Sequence, residues 1–385
     1  MSNPSPSPFT IDVSNSVITD LQQRLHHTRW PDQMPGVGWD YGAELTAVQR
    51  LCAYWADEYD WPAAQARLNT WPQFTTTIDD QNVHFIHASS PHADAMPLVV
   101  THGWPGSIAE FEKILGPLTD PVAHGGSAAD AFHVVCPSIP GYGFSGPTTT
   151  RGWSVQRVAR AWAELMANLG YEHYGAQGGD WGAVITSALG VVDAEHLAGI
   201  HLNMLVAGPP ESADPMDGVN DSEKVGLAAM ANFREQGVGY QAIQGTKPQS
   251  LAYGLTDSPA GLAGWILEKF REWSDCNGDP FTAFTMDELC TNLTIYWATG
   301  TINSSCRLYY ETIGPGRRAP RSPRVEVPTG AAIFPKELFQ PPRVWANNAY
   351  NITHWSRFDR GGHFAALEQP AVLVDDMRAF FRTVR

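Results

Sequence analysis

One short segment, Gly-Gly-Asp-Trp-Gly at residues 178–182, constrains the fold most, because it ends an apolar run and opens a helical pattern. Glycines at positions 178 and 182 allow a tight turn from strand to helix, which presents Asp180 at the carboxyl edge of a sheet. Such a turn commonly carries a nucleophile. An ionised aspartate can attack carbon directly and form an ester, whereas a serine needs a base to activate it. The alternative is an aspartate that only caps the helix.

Short apolar strands alternate with helical patterns on both sides of this turn. The expected strands lie at residues 97–102, 132–137, 174–177, 330–334 and 351–355. A hairpin is expected at 75–87, and helices are expected at 182–189 and 370–382. This alternation predicts an α/β fold with a mostly parallel sheet covered by helices on both faces.

Residues 1–75 are expected to form a separate N-terminal meander. Apolar spacing predicts helices at 14–26 and 44–57. Trp-Pro pairs begin at Trp30, Trp61 and Trp71, and the prolines are expected to stop the helices. The tryptophans are expected to pack the meander on a larger body.

Residues 208–328 contain only helical patterns and are therefore expected to form a helical cap inserted in the α/β unit. Thr285 and Glu288 have the spacing of a capping box before a helix at 289–297. Residues 314–328 are rich in Pro and Arg and are expected to be a return linker. The core then divides into residues 76–207 and 329–385.

Composition excludes several classes of function. The net charge is −15, from 25 basic and 40 acidic residues, which argues against nucleic acid and anionic membranes as partners. The N-terminus has no signal-peptide pattern and no apolar run is long enough to cross a membrane, so a cytoplasmic location is expected.

Five cysteines without a CxxC pair predict buried thiols, and 13 histidines without an HExxH pattern predict no metal. The GxGxxG match at 141–146 lacks a following helix, so no dinucleotide cofactor is expected.

A loop at residues 102–107 follows a predicted strand and reads HGWPGS. Hydrolases with a nucleophile at a strand-to-helix turn take one oxyanion-hole N–H from such a loop and another from the residue after the nucleophile. The backbone N–H groups of Trp104 and Trp181 are the candidates here. The alternative for the loop is an ordinary Gly/Pro turn.

His363 follows the last predicted strand, and Glu337 follows the strand before it. The carboxyl ends of parallel strands share one edge, so His363 can reach Asp180 and Glu337 can orient the imidazole. The order Asp180, Glu337, His363 is the nucleophile, acid and base order of the α/β-hydrolase fold. A lone histidine is more often structural, but the three signals together favour a catalytic triad.

The chain resembles the microsomal-type epoxide hydrolases, which include the juvenile-hormone epoxide hydrolases of insects, over almost its whole length. The resemblance is carried by the N-terminal Arg-Trp-Pro at residues 29–31 and by the core motifs HGWPGS, GGDWG, FPKE and RGGHFAA. It implies an α/β-hydrolase fold with a helical cap, with Asp180 as nucleophile, His363 as base and Glu337 as acid. It also implies an epoxide substrate and no cofactor.

The same resemblance implies two cap tyrosines that hold the epoxide oxygen, and their sequence contexts match Tyr240 and Tyr309. Tyr310 is adjacent, and neighbours on a helix point about 100° apart, so only one of the pair is expected to face the pocket. Tyr309 is the choice. Phe233 and His102 are expected to line the substrate pocket.

The expected substrates are aryl or bulky hydrophobic epoxides. A role in detoxification, in catabolism of aromatic hydrocarbons or in secondary metabolism of a bacterial host stays open. The alternatives for the activity are a haloalkane dehalogenase and a non-catalytic small-molecule-binding protein on the same scaffold. A homodimer that packs through the Trp-rich meander is also left open.

Overall fold

The computed structural model describes residues 5–210, 214–317 and 323–385. A nine-stranded sheet crosses this part of the chain in the order β1-β2-β3-β5-β4-β6-β7-β8-β9. Strands β5, β4, β6, β7, β8 and β9 are parallel, and β1, β2 and β3 join them antiparallel. The predicted mostly parallel sheet is therefore confirmed.

The strands are β1 Ser7–Phe9, β2 Gln73–Ile78, β3 Gln81–Ala88, β4 Met96–Thr101, β5 Phe132–Pro137, β6 Tyr174–Gly178, β7 Leu197–Leu202, β8 Val325–Ile333 and β9 Tyr350–Arg357. The N-terminal helices are α1 Asn15–His26, α2 Leu45–Asp57 and α3 Trp61–Leu68. The core helices before the cap are α4 Glu112–Thr119, α5 Val155–Asn168 and α6 Asp180–Val192.

The cap consists of α7 Asp221–Asn232, α8 Gly239–Thr246, α9 Pro248–Asp257, α10 Pro259–Glu272, α11 Met286–Thr299 and α12 Ile302–Ile313. The core helices after it are α13 Arg343–Ala349, α14 Ala365–Glu368 and α15 Pro370–Phe381. A π-helical turn occupies Phe233–Gly237, and short 3-10 turns occupy Ile108–Phe111, Val122–His124, Ala128–Asp130, Gly143–Ser145 and Pro280–Thr282. No helix among the described residues combines the length and apolarity needed to cross a membrane.

Proline does not stop every helix of the meander, and that expectation is wrong at Pro62. Pro62 lies in the first turn of α3, where backbone N–H groups make no hydrogen bond within the helix, so a proline there costs no such bond. The side chain of Asp60 caps this helix by accepting a hydrogen bond from the N–H of Ala63 at 3.0 Å.

The meander supports the cap helix α11. Trp55 donates its indole N–H to the hydroxyl of Thr294 at 2.8 Å, and the hydroxyls of Tyr59 and Thr291 lie 2.9 Å apart. Other side chains of the same stretch of α11 face the loop at 102–107, where the hydroxyl of Tyr296 donates to the carbonyl of Gly106 at 2.8 Å. Asn292 contacts the same loop through two hydrogen bonds. Meander, cap and loop are therefore one connected structure.

The return segment differs from the expected linker. β8 begins at Val325, inside residues 314–328, while residues 318–322 of that linker lie outside the described part of the chain. The pairing of β8 with β9 shifts register between Val325 and Pro328, and a bulge of this kind is where a strand tolerates proline. The predicted capping box is confirmed, since Thr285 and Glu288 bond each other's backbone N–H groups at the start of α11.

Candidate active site

Asp180 lies at the turn between β6 and α6 with φ of 50°, a left-handed conformation that aspartate tolerates better than most residues. A Cβ atom on Gly178 would lie 2.2 Å from the carbonyl oxygen of Gly182. A Cβ atom on Gly182 would lie 1.9 Å from the carbonyl oxygen of Thr101. Larger residues at either position would therefore displace the turn, which explains why both flanking positions are glycine.

The loop after β4 closes against the carboxylate of Asp180. Trp104 donates its backbone N–H to Oδ1 of Asp180 at 2.7 Å. The preceding residue has to be Gly103, because a Cβ atom at this position would lie only 2.2 Å from Oδ1 of Asp180. Trp181 is the second residue of α6, so its backbone N–H has no acceptor within the helix. The two predicted oxyanion donors thus belong to the two segments that flank Asp180.

His363 lies between two carboxylates. Its Nδ1 contacts Oε1 of Glu337 at 2.8 Å, and its Nε2 is 3.3 Å from Oδ2 of Asp180. Its backbone N–H donates to the carbonyl of Trp273 at 2.9 Å, and the Trp273 ring packs edge-on against the imidazole at 5.1 Å. Both His363 and Glu337 are buried, so the imidazole is held by packing as well as by hydrogen bonds.

Tyr240 of α8 and Tyr309 of α12 extend from the cap into the cavity that Asp180 also lines. Their ring centroids are 5.8 Å apart, and both side chains are buried. Tyr240 stacks on the Trp104 indole at 5.1 Å, whereas Tyr309 packs edge-on against the Trp181 indole at 4.7 Å. Apart from its interaction with the hydroxyl of Tyr240, the hydroxyl of Tyr309 has no hydrogen-bond partner among the described residues.

Tyr310 points elsewhere, and its half-buried ring receives the guanidinium of Arg317 at 4.8 Å. The choice between the two adjacent tyrosines therefore favours Tyr309.

A cavity of about 930 Å³ opens in front of Asp180. Its catalytic end is formed by Asp180, Trp181, Phe233, Tyr240 and Tyr309. Its floor continues along one face of α6 through small side chains, Ala183, Val184, Ser187 and Ala188. Phe233 thus lies where the sequence analysis expected it.

His102 is absent from the lining of this cavity and instead lines, together with Asp180 and His363, a separate void of about 20 Å³. Its buried imidazole lies behind the loop, where Nε2 accepts a hydrogen bond from the N–H of Ile139 at 3.2 Å and Nδ1 lies 3.0 Å from the carbonyl of Gly103. Burial lowers the pKa of His102 to about 4, so the ring is neutral at pH 7. His102 therefore supports the loop that carries the Trp104 N–H.

Comparisons with known proteins identify the family of the chain. A family model described as the epoxide hydrolase N terminus matches residues 6–111, and a model described as the alpha/beta hydrolase fold matches residues 96–235. Epoxide hydrolase 1 of Oryctolagus cuniculus is 37% identical, with 97% of this chain and 88% of that protein covered. A protein of Stigmatella aurantiaca provisionally named an epoxide hydrolase is 46% identical, with 98% of this chain and 85% of that protein covered. The chain belongs to the epoxide hydrolase family.

Solved structures agree with this assignment. The juvenile hormone epoxide hydrolase of the silkworm Bombyx mori superposes with a TM-score of 0.90 at 31% identity, covering 100% of this chain and 96% of that one. The Aspergillus niger epoxide hydrolase superposes with a TM-score of 0.89 at 31% identity, covering 100% of this chain and 98% of that one. The α/β-hydrolase fold expected for this enzyme is confirmed, and the reading as a non-catalytic binding protein is set aside.

Electrostatics around the histidine of this epoxide hydrolase favour the imidazolium. Burial alone would lower the pKa of His363, but the charge of Glu337, its hydrogen bond to Nδ1 and the nearby carboxylate of Asp180 outweigh it, so the pKa is raised well above its usual value. Burial, together with the charge of Asp180, raises the pKa of Tyr240 far above its usual value. Both cap tyrosines are therefore neutral hydrogen-bond donors, since burial also raises the pKa of Tyr309.

Glu110, which the sequence analysis did not single out, lies next to the candidate site. It shares with Asp180, His363 and Gln177 a void of about 20 Å³, which is large enough for one water molecule. Burial raises the pKa of Glu110 to about 8, although the charge of His363 opposes the shift. In the sequence, Glu110 is only one of many acidic residues near the start of a helix, and nothing local marks it out.

Among the described residues, no group of three or more His, Cys, Asp and Glu side chains is arranged to hold a metal ion.

Proposed function

We propose that this enzyme hydrolyses epoxides to vicinal diols through a covalent ester on Asp180. One observation carries the proposal: the Asp180 carboxylate lies 2.7 Å from the N–H of Trp104 and 3.3 Å from His363, and it lines the cavity that Tyr240 and Tyr309 enter from the cap. A carboxylate nucleophile, a base and two acidic hydrogen-bond donors are the groups that opening and hydrolysis of an epoxide require.

Ring opening uses Asp180 and the two tyrosines. One Asp180 oxygen attacks an epoxide carbon, and the electron pair of the breaking C–O bond moves to the ring oxygen. That oxygen accepts hydrogen bonds from Tyr240 and Tyr309 and takes a proton from one of them. Negative charge grows on the oxygen only as the bond breaks, so the two phenols stabilise the transition state more than the bound substrate. The hydroxyl of Tyr309, whose only other partner among the described residues is the hydroxyl of Tyr240, is suited to this role.

Ester hydrolysis uses His363 and the oxyanion donors. His363 takes a proton from water as the water oxygen attacks the Asp180 carbonyl carbon, and the N–H groups of Trp104 and Trp181 stabilise the oxyanion. When the intermediate collapses, the released alkoxide takes the proton from His363 and leaves as the diol. Asp180 then returns to its carboxylate by losing the second water proton, which restores the tyrosine. The void shared by Glu110, Gln177 and His363 is a suitable place for this water.

The raised pKa of His363 fits this order of steps. In the free enzyme, two carboxylates stabilise the imidazolium. Esterification removes the charge of Asp180, so one of the contributions that raise the pKa disappears and the pKa of His363 falls. The imidazolium then releases its proton to solvent, so that the neutral imidazole is available as the base for ester hydrolysis, and it takes up a proton again when the Asp180 carboxylate is restored.

The cavity supports aryl or bulky hydrophobic epoxides as substrates, because its catalytic end is walled by Trp181, Phe233 and Leu338. Detoxification, catabolism of aromatic compounds or secondary metabolism in the cytoplasm of a bacterium is the proposed setting. A haloalkane dehalogenase would place N–H donors around the departing halide, whereas the side chains that the cap brings over Asp180 are phenols.

A single turnover in H₂¹⁸O tests the ester mechanism. The new oxygen of the diol comes from Asp180, and water replaces it in the protein, so we expect ¹⁸O in the peptide that contains Asp180 and unlabelled diol from the first turnover. Enzyme in excess over styrene oxide, followed by mass spectrometry of both products, measures this. Label that appears in the first diol, with none in the protein, would mean that water attacks the epoxide directly.

Replacing the two cap tyrosines separates the two chemical steps. We expect Tyr240→Phe and Tyr309→Phe each to slow ester formation by ~100-fold, the usual cost of removing one such donor, and to leave ester hydrolysis nearly unchanged. Rapid-quench measurement of adduct and diol gives both rate constants. Tyr310→Phe is the matched control and should leave both steps unchanged. Equal slowing of both steps in the Tyr240 and Tyr309 variants would remove the tyrosines from ring opening.

A further inference from the structure

A buried lysine lies over the ring of Tyr240. Lys269 belongs to the cap helix α10, and its side chain is only 7% exposed. Its Nζ lies 4.7 Å from the centroid of the Tyr240 ring and 5.8 Å from that of Trp273. Lysine is rarely buried to this extent, and an ammonium within about 6 Å of an aromatic centroid interacts favourably with the ring. The catalytic machinery described above does not use this cation.

Three aromatic side chains pack around the ring that receives the ammonium. The Trp104 indole stacks on Tyr240 at 5.1 Å with an angle of 10° between the planes. Trp273 packs against it at 5.2 Å and Tyr309 at 5.8 Å. The cation and the ring are therefore held in one geometry at a site with little water, where electrostatic interactions are weakly screened.

We propose that Lys269 is a positioning residue that acts through Tyr240, by stabilising the negative charge that the phenol acquires as it donates to the opening epoxide. This inference rests on the ring-opening role proposed for Tyr240. A phenol that gives up its proton becomes an anion, and a fixed cation beside the ring favours the anion over the neutral phenol. The need for a cation is greatest at this tyrosine, since burial and the charge of Asp180 both oppose its ionisation.

Acidic neighbours act in the opposite direction but only partly. Glu268 forms an ion pair with Lys269, and Glu272 lies one turn further along α10. Charge on either carboxylate opposes ionisation of Tyr240. Burial, with the hydrogen bond to Glu268, raises the pKa of Glu272 to about 7, so this carboxyl is partly protonated near neutral pH. The ammonium lies over the ring itself, 4.7 Å from its centroid, and this geometry is what the proposal rests on.

Tyr309 has no such cation. Its ring contacts are aromatic, with Trp104, Trp181 and Tyr240, and no cation lies over it among the described residues. The two phenols are thus unequal, and Tyr240 is the one that gives its proton to the alkoxide.

Lys269→Met and Lys269→Arg test the proposal with styrene oxide as the probe. The methionine variant keeps an apolar side chain of similar length but removes the charge, and the arginine variant restores the charge. We expect Lys269→Met to slow ester formation by about 3- to 30-fold, the range of a desolvated cation–ring interaction, with ester hydrolysis unchanged and Lys269→Arg recovering most of the rate. Rapid-quench detection of the Asp180 adduct separates the two steps.

A double-mutant cycle decides whether the effect passes through Tyr240. In the Tyr240→Phe background, Lys269→Met should add less than about twofold, whereas in the Tyr309→Phe background it should keep its full effect. Arg271→Met is the matched control, since it removes a cation from the same helix, where the guanidinium lies 5.4 Å from the Trp39 ring. This control should leave both steps unchanged.

The outcomes distinguish the proposal for Lys269 from the ring-opening role proposed for Tyr240. Equal slowing by Lys269→Met with or without the Tyr240 hydroxyl would assign Lys269 a purely structural role and overturn the proposal. No slowing by Lys269→Met, with Tyr240→Phe still impaired, would overturn it and leave the role of Tyr240 intact. Unimpaired ester formation in Tyr240→Phe would overturn both. Lys269→Gln replaces Lys269→Met in the same cycle if melting curves show that the methionine variant is unfolded.

Discussion

Asp180→Ala should reduce turnover of any epoxide substrate by ~10⁴-fold or more. Without the nucleophile, only substrate binding and the remaining hydrogen-bond donors of the site can contribute to the rate. The variant has no side-chain oxygen to form an ester, so we also expect no covalent adduct at any substrate concentration. Steady-state diol formation and intact-protein mass spectrometry measure the two effects. The cavity and the tyrosines remain, so binding of the diol product should be largely retained.

The control for Asp180→Ala addresses the backbone. Asp180 has φ of 50°, where alanine is less well tolerated than aspartate or asparagine, so part of any loss in the alanine variant reflects strain in the turn. Asp180→Asn keeps the shape and the acceptor for the Trp104 N–H but is a far weaker nucleophile. Both variants should therefore be inactive, with the asparagine variant nearer to wild type in Tm. Substantial activity of freshly prepared Asp180→Ala would exclude this residue as the nucleophile.

The layout of the core was predictable because it depends on local patterns. Apolar runs that end in glycine, and polar residues placed directly after them, predict strands of a parallel sheet and the edge where catalytic groups gather. Five of the parallel strands were expected near their observed positions. β7 was missed, since Gly199 and His201 interrupt its apolar run. His201 is nevertheless buried, with its Nε2 2.9 Å from the carboxylate of Asp376, a contact 175 residues distant in sequence.

The site itself was only partly predictable. Asp180, Glu337 and His363 follow strands, so their meeting at one edge follows from topology. The positions of Tyr240 and Tyr309 came from the family resemblance, because two tyrosines on separate cap helices show no periodic signal. The place of His102 could not be read from the loop at 102–107 alone, because its imidazole accepts a hydrogen bond from the N–H of Ile139, on a different segment.

Two ionisable residues show a different limit of sequence-based prediction. Glu110 and Lys269 are polar residues next to or within helices, and the usual reading of such residues is a solvated surface. Both residues contact groups from distant parts of the chain. Asp180 and His363 line one void with Glu110, and Tyr240 of α8 lies under Lys269 of α10. Contacts of this kind depend on how the cap and core pack together, which no local pattern in the chain encodes.

His363→Gln should trap the enzyme as a stable ester. Ester formation needs only Asp180 and the tyrosines, whereas ester hydrolysis needs a base, so the glutamine variant should gain the mass of one substrate molecule and release almost no diol. We expect hydrolysis of the ester to slow by ~10³-fold or more, the scale of removing a triad member. Intact-mass measurement after incubation with styrene oxide, followed by peptide mapping to Asp180, tests this. Rapid turnover without an adduct would remove His363 from the role of base.

Glu337→Gln is the matched variant, because it keeps the imidazole and the shape of its partner but removes a charge. The charge of Glu337 helps to raise the pKa of His363, so its loss should lower that pKa. The neutral, basic form of the imidazole then becomes available at lower pH, and the midpoint of the pH profile for ester hydrolysis should move towards acid. The maximal rate should also fall, since the imidazolium that forms during the step loses its counter-charge. An unchanged midpoint in single-turnover measurements across pH would show that Glu337 does not set the basicity of His363.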